Sequence, residues 1–179
     1  FVCSLEYVMN EAIKNKEHII LEGAQGTMLD VDAGTIPDTT SSHLLAGYGI
    51  TGLGLSRSDF KIIGIEKAYP TRVGSGVMPT LADDDFGKDV QNNGGEFGAT
   101  TGRARRVGYP DWVVIKYAAM MNDIDYIILT RADVIQNKEI KVCTLYLQGS
   151  KTINEVPLRL DKVSPIYSDE IYNWKLWDG

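Results

Sequence analysis

The sequence has few of the features that mark membrane, secreted or nucleic-acid-binding proteins. Its apolar runs are short, such as the four residues 126–129, whereas a bilayer-spanning helix needs roughly 20. No cationic segment followed by an apolar one opens the chain, so we expect neither a signal peptide nor a membrane partner. Acidic residues outnumber basic ones by 24 to 18, and the net charge of −6 argues against nucleic-acid binding, which needs a basic face.

Cysteine is also scarce. Cys3 and Cys143 are the two cysteines of the chain, and they form no CxxC pair and no metal-binding spacing. This usage predicts a reducing, cytoplasmic compartment. The 179 residues, of which 44% are hydrophobic and 23% charged, are enough for one domain with a buried core.

Helical and strand patterns alternate along the chain, which predicts an α/β or α+β class. Residues 4–15 and 111–121 have apolar residues at helical spacing, with Ser4 and Asp111 as candidate caps. Short apolar runs predict strands at residues 18–21, 61–68, 126–130, 140–147 and 156–160. The acidic residues 81–95 are predicted to form a solvated loop, and no element is predicted after residue 165.

Glycine is concentrated in one part of the chain. Sixteen of the 18 glycines lie between Gly23 and Gly108. Such a density marks backbone that turns sharply or approaches another group closely, and it predicts a site built from loops on a scaffold.

Two glycine-bearing stretches have side chains suited to a nucleotide or another anion. Gln25 lies in the turn 22–27, and its amide can both donate to and accept from a purine edge. The hydroxyls and backbone N–H groups of residues 39–42 suit a phosphate. Arg103, Arg105 and Arg106 follow a Thr-Thr-Gly segment, and arginine binds carboxylates and phosphates bidentately.

A third stretch, Thr-Arg-Ala-Asp at residues 130–133, follows a predicted strand. It has the form of the guanine-reading motif of GTP-binding proteins. In that motif the Asp133 carboxylate would accept from guanine N1–H and N2–H₂, while the aliphatic stem of Arg131 would cover the base.

Taken together and in this order, residues 7–169 resemble the adenylosuccinate synthetase family. The resemblance rests on five strings of residues. They are Glu-Gly-Ala-Gln-Gly-Thr at 22–27, Thr-Ser-Ser at 40–42, Lys-Ala-Tyr at 67–69, Thr-Arg-Val-Gly at 71–74 and Asn-Gly-Gly-Glu-Phe-Gly-Ala-Thr-Thr-Gly-Arg-Ala-Arg-Arg at 93–106.

The resemblance implies a fold, a reaction and partners. The fold would be the α/β fold of the P-loop-NTPase-like family, with a mixed, mostly parallel sheet flanked by helices and long glycine-rich site loops, incomplete in this chain. The reaction would join inosine monophosphate (IMP) and L-aspartate at the expense of GTP, with magnesium, in AMP biosynthesis. The purine 6-oxygen would be phosphorylated, and the aspartate amine would then displace the phosphate to give adenylosuccinate. The enzyme would be a homodimer in which an arginine of the partner completes each nucleotide site.

The resemblance also implies roles for individual residues. For IMP, Gln25 would contact the purine, Thr40 the 5′-phosphate and Val73 the ribose, and Arg103 would reach the same nucleotide. The residues for aspartate would be Ala99, Thr100, Thr101, Gly102 and Arg103. The residues for GTP would be Arg105, which would contact the phosphates, and Arg131, Ala132 and Asp133, which would hold the guanine.

The chain departs from the family pattern in several places. The family's phosphate loop with its catalytic aspartate, the histidine general acid and the final part of the guanine pocket have no counterpart in these 179 residues. We therefore expect a single incomplete domain from a longer chain, without catalytic residues or metal ligands, and inactive alone. The magnesium ligands are expected in the preceding part of the protein. Arg131 replaces the usual lysine, Ala104 a proline, and His43 an asparagine.

Two alternatives remain. One is a relative with changed nucleotide substrates, of the 2-aminoadenylosuccinate synthase type. The other is a non-catalytic nucleotide-binding fragment. Gln25 and the complete segment 99–103 argue against the first, and a phosphate loop upstream would argue against the second.

Overall fold

The structure, a computed structural model, describes residues 2–98 and 102–173. The helices in these ranges are α1 Leu5–Lys14, α2 Ala46–Gly52, α3 Asp85–Asn93 and α4 Trp112–Asn122. The strands are β1 Ile63–Lys67, β2 Thr71–Arg72, β3 Arg106–Val107, β4 Tyr126–Thr130, β5 Glu139–Ile140, β6 Cys143–Gln148, β7 Lys151–Ile153, β8 Ser164–Tyr167 and β9 Tyr172–Asn173. None of the helices described has the length and apolar character needed to cross a membrane.

The strands form a mixture of parallel and antiparallel pairs. Strand β1 pairs with β4. The N–H of Asp125 donates to the carbonyl of Ile62, and the N–H of Ala68 donates to the carbonyl of Thr130, both at 2.9 Å. Since both segments advance together along the chain, this pair is parallel. The pairs β2–β3 and β5–β9 and the three-stranded sheet β7–β6–β8 are antiparallel.

The chain divides into two compact units. The first contains the residues up to Gly64 together with Ala118–Tyr126, and the second contains Ile65–Tyr117 and the residues from Ile127 onward. In the first unit the fully buried Asp30 organises a long loop. Its carboxylate accepts from the backbone N–H groups of Asp32, Ala33, Leu44 and Leu45.

The core of the second unit is built around the end of β1, helix α3 and the segment from residue 135 to 142. Its buried members are Ala68, Tyr69, Val90, Val107, Ile135, Ile140 and Val142. Asp111 caps α4 by accepting from the N–H groups of Val113 and Val114, at 3.1 and 3.2 Å. The hydroxyl of the fully buried Tyr146 donates to the same carboxylate at 2.5 Å.

The acidic segment predicted as a solvated loop contains helix α3, so that prediction is wrong. The Asp84 carboxylate caps the helix by accepting from the N–H of Gly87 at 3.2 Å. Asp85 follows in the first turn, where negative charge is favourable. Phe86 and Val90, four residues apart, lie in and against the core. Two apolar residues were therefore enough to direct one helical face inward.

Three strand predictions also need correction. Residues 18–21 form no strand, and the Ile20 side chain is 91% exposed. Among the residues described, no strand pairs with the backbone groups of this segment. Residues 156–160 are likewise irregular, whereas β8 and β9 lie where no element was predicted. The prediction of strand β4 is confirmed but that of its burial is wrong, since Tyr126 is 61% exposed and Leu129 39%.

Candidate functional site

The arginine-rich segment forms a hairpin in the second unit. The N–H of Arg105 donates to the Glu96 carbonyl at 2.9 Å, and the N–H of Gly98 donates to the Arg103 carbonyl at 2.8 Å. Gly102 has a φ of 62°, a conformation that glycine adopts without strain. Gly102 and Arg103 are exposed at the end of the stem. The predicted aspartate-binding residues Ala99, Thr100 and Thr101 lie outside the described residues.

A buried carboxylate lies at the base of this hairpin. Glu96 is 3% exposed. Its oxygens accept from Nζ of Lys67 at 3.0 Å, from the hydroxyl of Tyr69 at 2.8 Å and from Nη1 of Arg105 at 3.3 Å. Burial acts to raise the pKa of Glu96, but the contacts with Tyr69, Lys67 and Arg105 outweigh it, so the pKa is lowered. The carboxylate is therefore ionised near neutral pH and forms ion pairs with two cations, which leaves the cluster with a net positive charge.

The predicted guanine motif begins where β4 ends. Arg131 has a left-handed backbone with a φ of 62°, and the 3₁₀ turn Ala132–Ile135 follows. The Thr130 hydroxyl donates to the Glu66 carbonyl at 3.1 Å, and Ile135 is fully buried, so both ends of the motif are anchored. The Asp133 side chain is exposed, which leaves its carboxylate accessible to a ligand.

The side chain of Arg131 connects this motif to the base of the hairpin. Its Nη2 donates to the Gly94 carbonyl at 2.5 Å. Burial raises the pKa of the nearby Tyr69 hydroxyl, while the positive charge of Arg131 acts to lower it. The structure thus brings Arg105 and Arg131, two of the predicted GTP ligands, to one cluster around Tyr69 and Glu96.

Val73 lies in the same unit, directly after β2, and its side chain is 50% exposed. Strand β2 pairs with β3, so that Arg72 is opposite Arg106. The predicted ribose contact and the end of the arginine hairpin therefore lie on neighbouring strands.

Gln25 and Thr40, the other predicted IMP ligands, belong to the first unit. Gln25 is exposed and has a φ of 63° immediately before Gly26. The N–H of Thr40 donates to the Leu29 carbonyl at 2.8 Å. The two residues therefore lie at opposite ends of the 3₁₀ turn Thr27–Leu29.

One group of described residues in the first unit has the composition of a metal site. Asp30, Asp32 and His43 each place a candidate ligand atom within 4.8 Å of the others. Both oxygens of Asp30, however, already accept from two backbone N–H groups each. The cluster is accounted for as the hydrogen-bonding centre of a loop, and it does not fit a resident cation.

Lys67, Tyr69 and Glu96 were missed as functional residues by sequence reasoning, although they stand in the recognised strings. A signal was present, because a single glutamate between Gly95 and Phe97 interrupts a stretch of small and apolar residues. Its burial among partners from distant segments has no local sequence signature.

Comparison with known proteins identifies relatives along almost the whole chain. The family model described as adenylosuccinate synthetase matches residues 1–176. The adenylosuccinate synthetase of Geotalea uraniireducens is 47% identical over 180 aligned residues, and that of Pelotomaculum thermopropionicum is 43% identical. Each alignment covers 98% of this chain but 42% of the relative, so the chain spans about two fifths of the length of these relatives.

Solved structures show the same fold. The fully ligated adenylosuccinate synthetase of Plasmodium falciparum matches 98% of this chain and 43% of its own, with a TM-score of 0.84 and 32% identity. The predicted α/β fold class is thereby confirmed. A cyanophage S-2L succinoaminodeoxyadenylate synthetase, bound to dGMP and dATP, matches 89% of this chain and 49% of its own. Its TM-score of 0.57 and 18% identity show a shared fold alone.

Proposed function

The chain belongs to the adenylosuccinate synthetase family, and from this premise we propose that the protein containing it joins IMP and L-aspartate with GTP. The products would be adenylosuccinate, GDP and phosphate. Membership of this family supports a ligase of purine biosynthesis. The choice of substrates rests on Arg105, Arg131 and Asp133.

The observation that carries the proposal is the buried Glu96 cluster. A carboxylate that is 3% exposed holds Arg105, in the stem of the hairpin that carries Gly102 and Arg103. Cationic groups positioned before a ligand arrives bind an anion without paying for their own ordering. Such an arrangement supports binding of phosphates beside Arg105 and of an amino-acid carboxylate beside Gly102 and Arg103.

Asp133 and Arg131 support GTP as the phosphoryl donor. Asp133 is exposed at the start of an anchored turn, where its carboxylate can accept from both donors of the guanine edge. Adenine has no donor at N1 and none at C2. The Arg131 stem and Ala132 would cover the base.

The remaining assignments come from the family strings. Gln25, Thr40, Val73 and Arg103 are proposed for IMP. Residues 99–103 are proposed for aspartate.

Magnesium, dimer formation and the compartment are further parts of the proposal. Bound Mg²⁺ would neutralise phosphate charge during transfer, held by residues of the family pattern that have no counterpart here. A homodimer is proposed on family resemblance. Both cysteines are free thiols, which supports a reducing, cytoplasmic location.

The direct test is an assay of the full-length protein with IMP, aspartate, GTP and Mg²⁺, following adenylosuccinate by its absorbance. Activity that needs all four components would support the proposal. Activity with dGMP in place of IMP would favour the changed-substrate alternative. Nucleotide binding without turnover of either IMP or dGMP would favour the alternative of a non-catalytic nucleotide-binding fragment.

The same assay tests residues 1–179 expressed alone. We expect no turnover, because these residues contain no match to the phosphate loop or to the general acid and base of the family. Product formation by this segment would contradict the expectation.

A further inference from the structure

Tyr69 occupies a position that the proposed ligand contacts do not explain. Tyr69 is the second residue after β1; its side chain is fully buried, and its hydroxyl donates to Oε1 of Glu96 at 2.8 Å. The Lys67 ammonium lies 5.4 Å from the centre of the Tyr69 ring. The single proton of this hydroxyl is therefore committed to the carboxylate.

The carboxylate partner determines where the hairpin stem lies. Glu96 accepts from the backbone N–H of Arg105 through its carbonyl and from the Arg105 guanidinium through its side chain. Both strands of the stem are therefore attached to one residue. Any shift of the Glu96 side chain would be transmitted to the segment that ends in Gly102 and Arg103.

The Tyr69 hydroxyl also packs against the residue that binds the guanine motif. Nη2 of Arg131 donates to the Gly94 carbonyl at 2.5 Å. Gly94 packs so closely that a Cβ at this position would lie 2.6 Å from the Tyr69 hydroxyl. The hydroxyl is thus enclosed between the start of the motif and the residues that lead into the hairpin.

We propose that Tyr69 and Glu96 are positioning residues, which hold the hairpin stem and, through the Gly94 backbone, Arg131 in one arrangement. The Tyr69 hydroxyl donates to the Glu96 carboxylate and packs against Gly94, and the Gly94 carbonyl accepts from Arg131. Binding at the guanine motif and binding at the hairpin are coupled because both depend on the Tyr69 hydroxyl. This coupling rests on the proposed function in one respect, the identity of the two ligands as GTP at the guanine motif and aspartate at the hairpin.

The sharpest variant is Tyr69→Phe, which deletes one oxygen and keeps the ring in the core. Glu96 would keep Lys67 and Arg105 as partners, so the unit should still fold. Tyr146→Phe is the matched control, because Tyr146 is also fully buried in the same unit and donates to a carboxylate, that of Asp111. It lies outside the proposed contacts.

In the full-length protein we expect Tyr69→Phe to raise KM for aspartate about tenfold and KM for GTP about threefold, with a smaller change in kcat. Tyr146→Phe should lower Tm comparably and leave both KM values within about twofold. Equal KM values for the two variants would overturn the proposal.

Amide hydrogen exchange tests the same contact without any substrate. The reporters are the hydrogen-bonded N–H groups of Gly98 and Arg105 in the hairpin and of Val134 beside Arg131. Tyr69→Phe should speed exchange at all three about tenfold relative to amides of β6, and Tyr146→Phe should not. Unchanged exchange at either segment would refute the coupling, whether or not the wild type makes adenylosuccinate. If the wild type makes no adenylosuccinate but Tyr69→Phe speeds exchange at all three amides, the proposed function alone is refuted.

Discussion

Asp30 and Glu96 are both buried carboxylates, but the two units of the chain hold them in opposite ways. Asp30 is 0% exposed and is held by four backbone N–H groups of one loop. Glu96 is 3% exposed and is held by the side chains of Lys67, Tyr69 and Arg105. The pKa of each is lowered, because hydrogen bonds outweigh the effect of burial.

The difference separates a structural role from a positioning role. A carboxylate bonded to backbone fixes the path of the chain, so its loss should appear mainly as a loss of stability. A carboxylate bonded to side chains fixes the direction of functional cations, so its loss should alter ligand binding more than folding. Four predictions test this division.

The largest effect is expected for Asp30→Asn. The new amide would place a donor against two backbone donors of the loop, leaving buried groups unpaired. We expect the free energy of unfolding to fall by about 3 kcal/mol, to be measured by urea denaturation. Asp32→Asn is the control, since Asp32 is exposed, and it should change stability by less than about 0.5 kcal/mol. A loss for Asp30→Asn as small as that of the control would remove the contrast with Glu96.

Asp133 adds a third kind of carboxylate, one that is exposed and faces a proposed ligand. Asp133→Asn in the full-length protein should lower the preference for GTP over ATP roughly five- to hundredfold, because an amide leaves one guanine donor facing another donor. The midpoint of urea denaturation should not move. Comparison of kcat/KM for the two donors measures the effect, and an unaltered ratio would show that Asp133 does not read the base.

Glu66 sharpens the comparison, since it is partly buried in β1 and its pKa moves in the opposite direction. Burial raises that pKa from 4.5 to about 7, against weaker opposing contacts with Lys67. The folded state therefore binds more protons between these values, and stability should fall as pH rises from about 4.5 to 7. Glu66→Gln should make the protein about 1–2 kcal/mol more stable at pH 8 and have little effect at pH 4. Equal changes at both pH values would contradict the assignment.

Among the buried and partly buried carboxylates, the smallest effect on stability is expected for Glu96→Gln. The ionised Glu96 stabilises the folded state fully above the ordinary pKa of 4.5, and this contribution is lost as pH falls through the lowered pKa. Lys67 and Arg105 are each about a quarter to a third exposed, so screening limits the contribution to about 1 kcal/mol. The variant should therefore lose less stability than the wild type on acidification below pH 4.5. Parallel pH profiles of Tm would contradict this.

The sequence predicted the helices and strands whose caps and apolar patterns lie within or next to their own residues. Helix α4 was predicted within one residue, because Asp111 caps it and its apolar residues recur at helical spacing. Strands β1 and β4 were also predicted, from short β-branched runs between polar residues. Helix α3 was not, because its two inward-facing apolar residues were outnumbered by charged and amide side chains.

The candidate site was predictable to a similar extent. The strings at residues 22–27 and 93–106 identified the family and named Arg105, Arg131 and Asp133 as candidates. They did not indicate that Arg105 and Arg131 converge on one buried cluster. That convergence depends on Tyr69, which no local pattern distinguishes from any other buried tyrosine.

The sequence by itself determined the family and the helices with a clear period, because these depend on residue identity and on neighbours a few positions away. Only the tertiary structure decided which carboxylates are buried and what holds them. Glu96 lies 27 residues from Tyr69 and 29 from Lys67 along the chain, yet all three side chains meet at hydrogen-bond distance. Burial and electrostatic pairing depend on such distant contacts, so the pKa of a glutamate cannot be read from its neighbours in sequence.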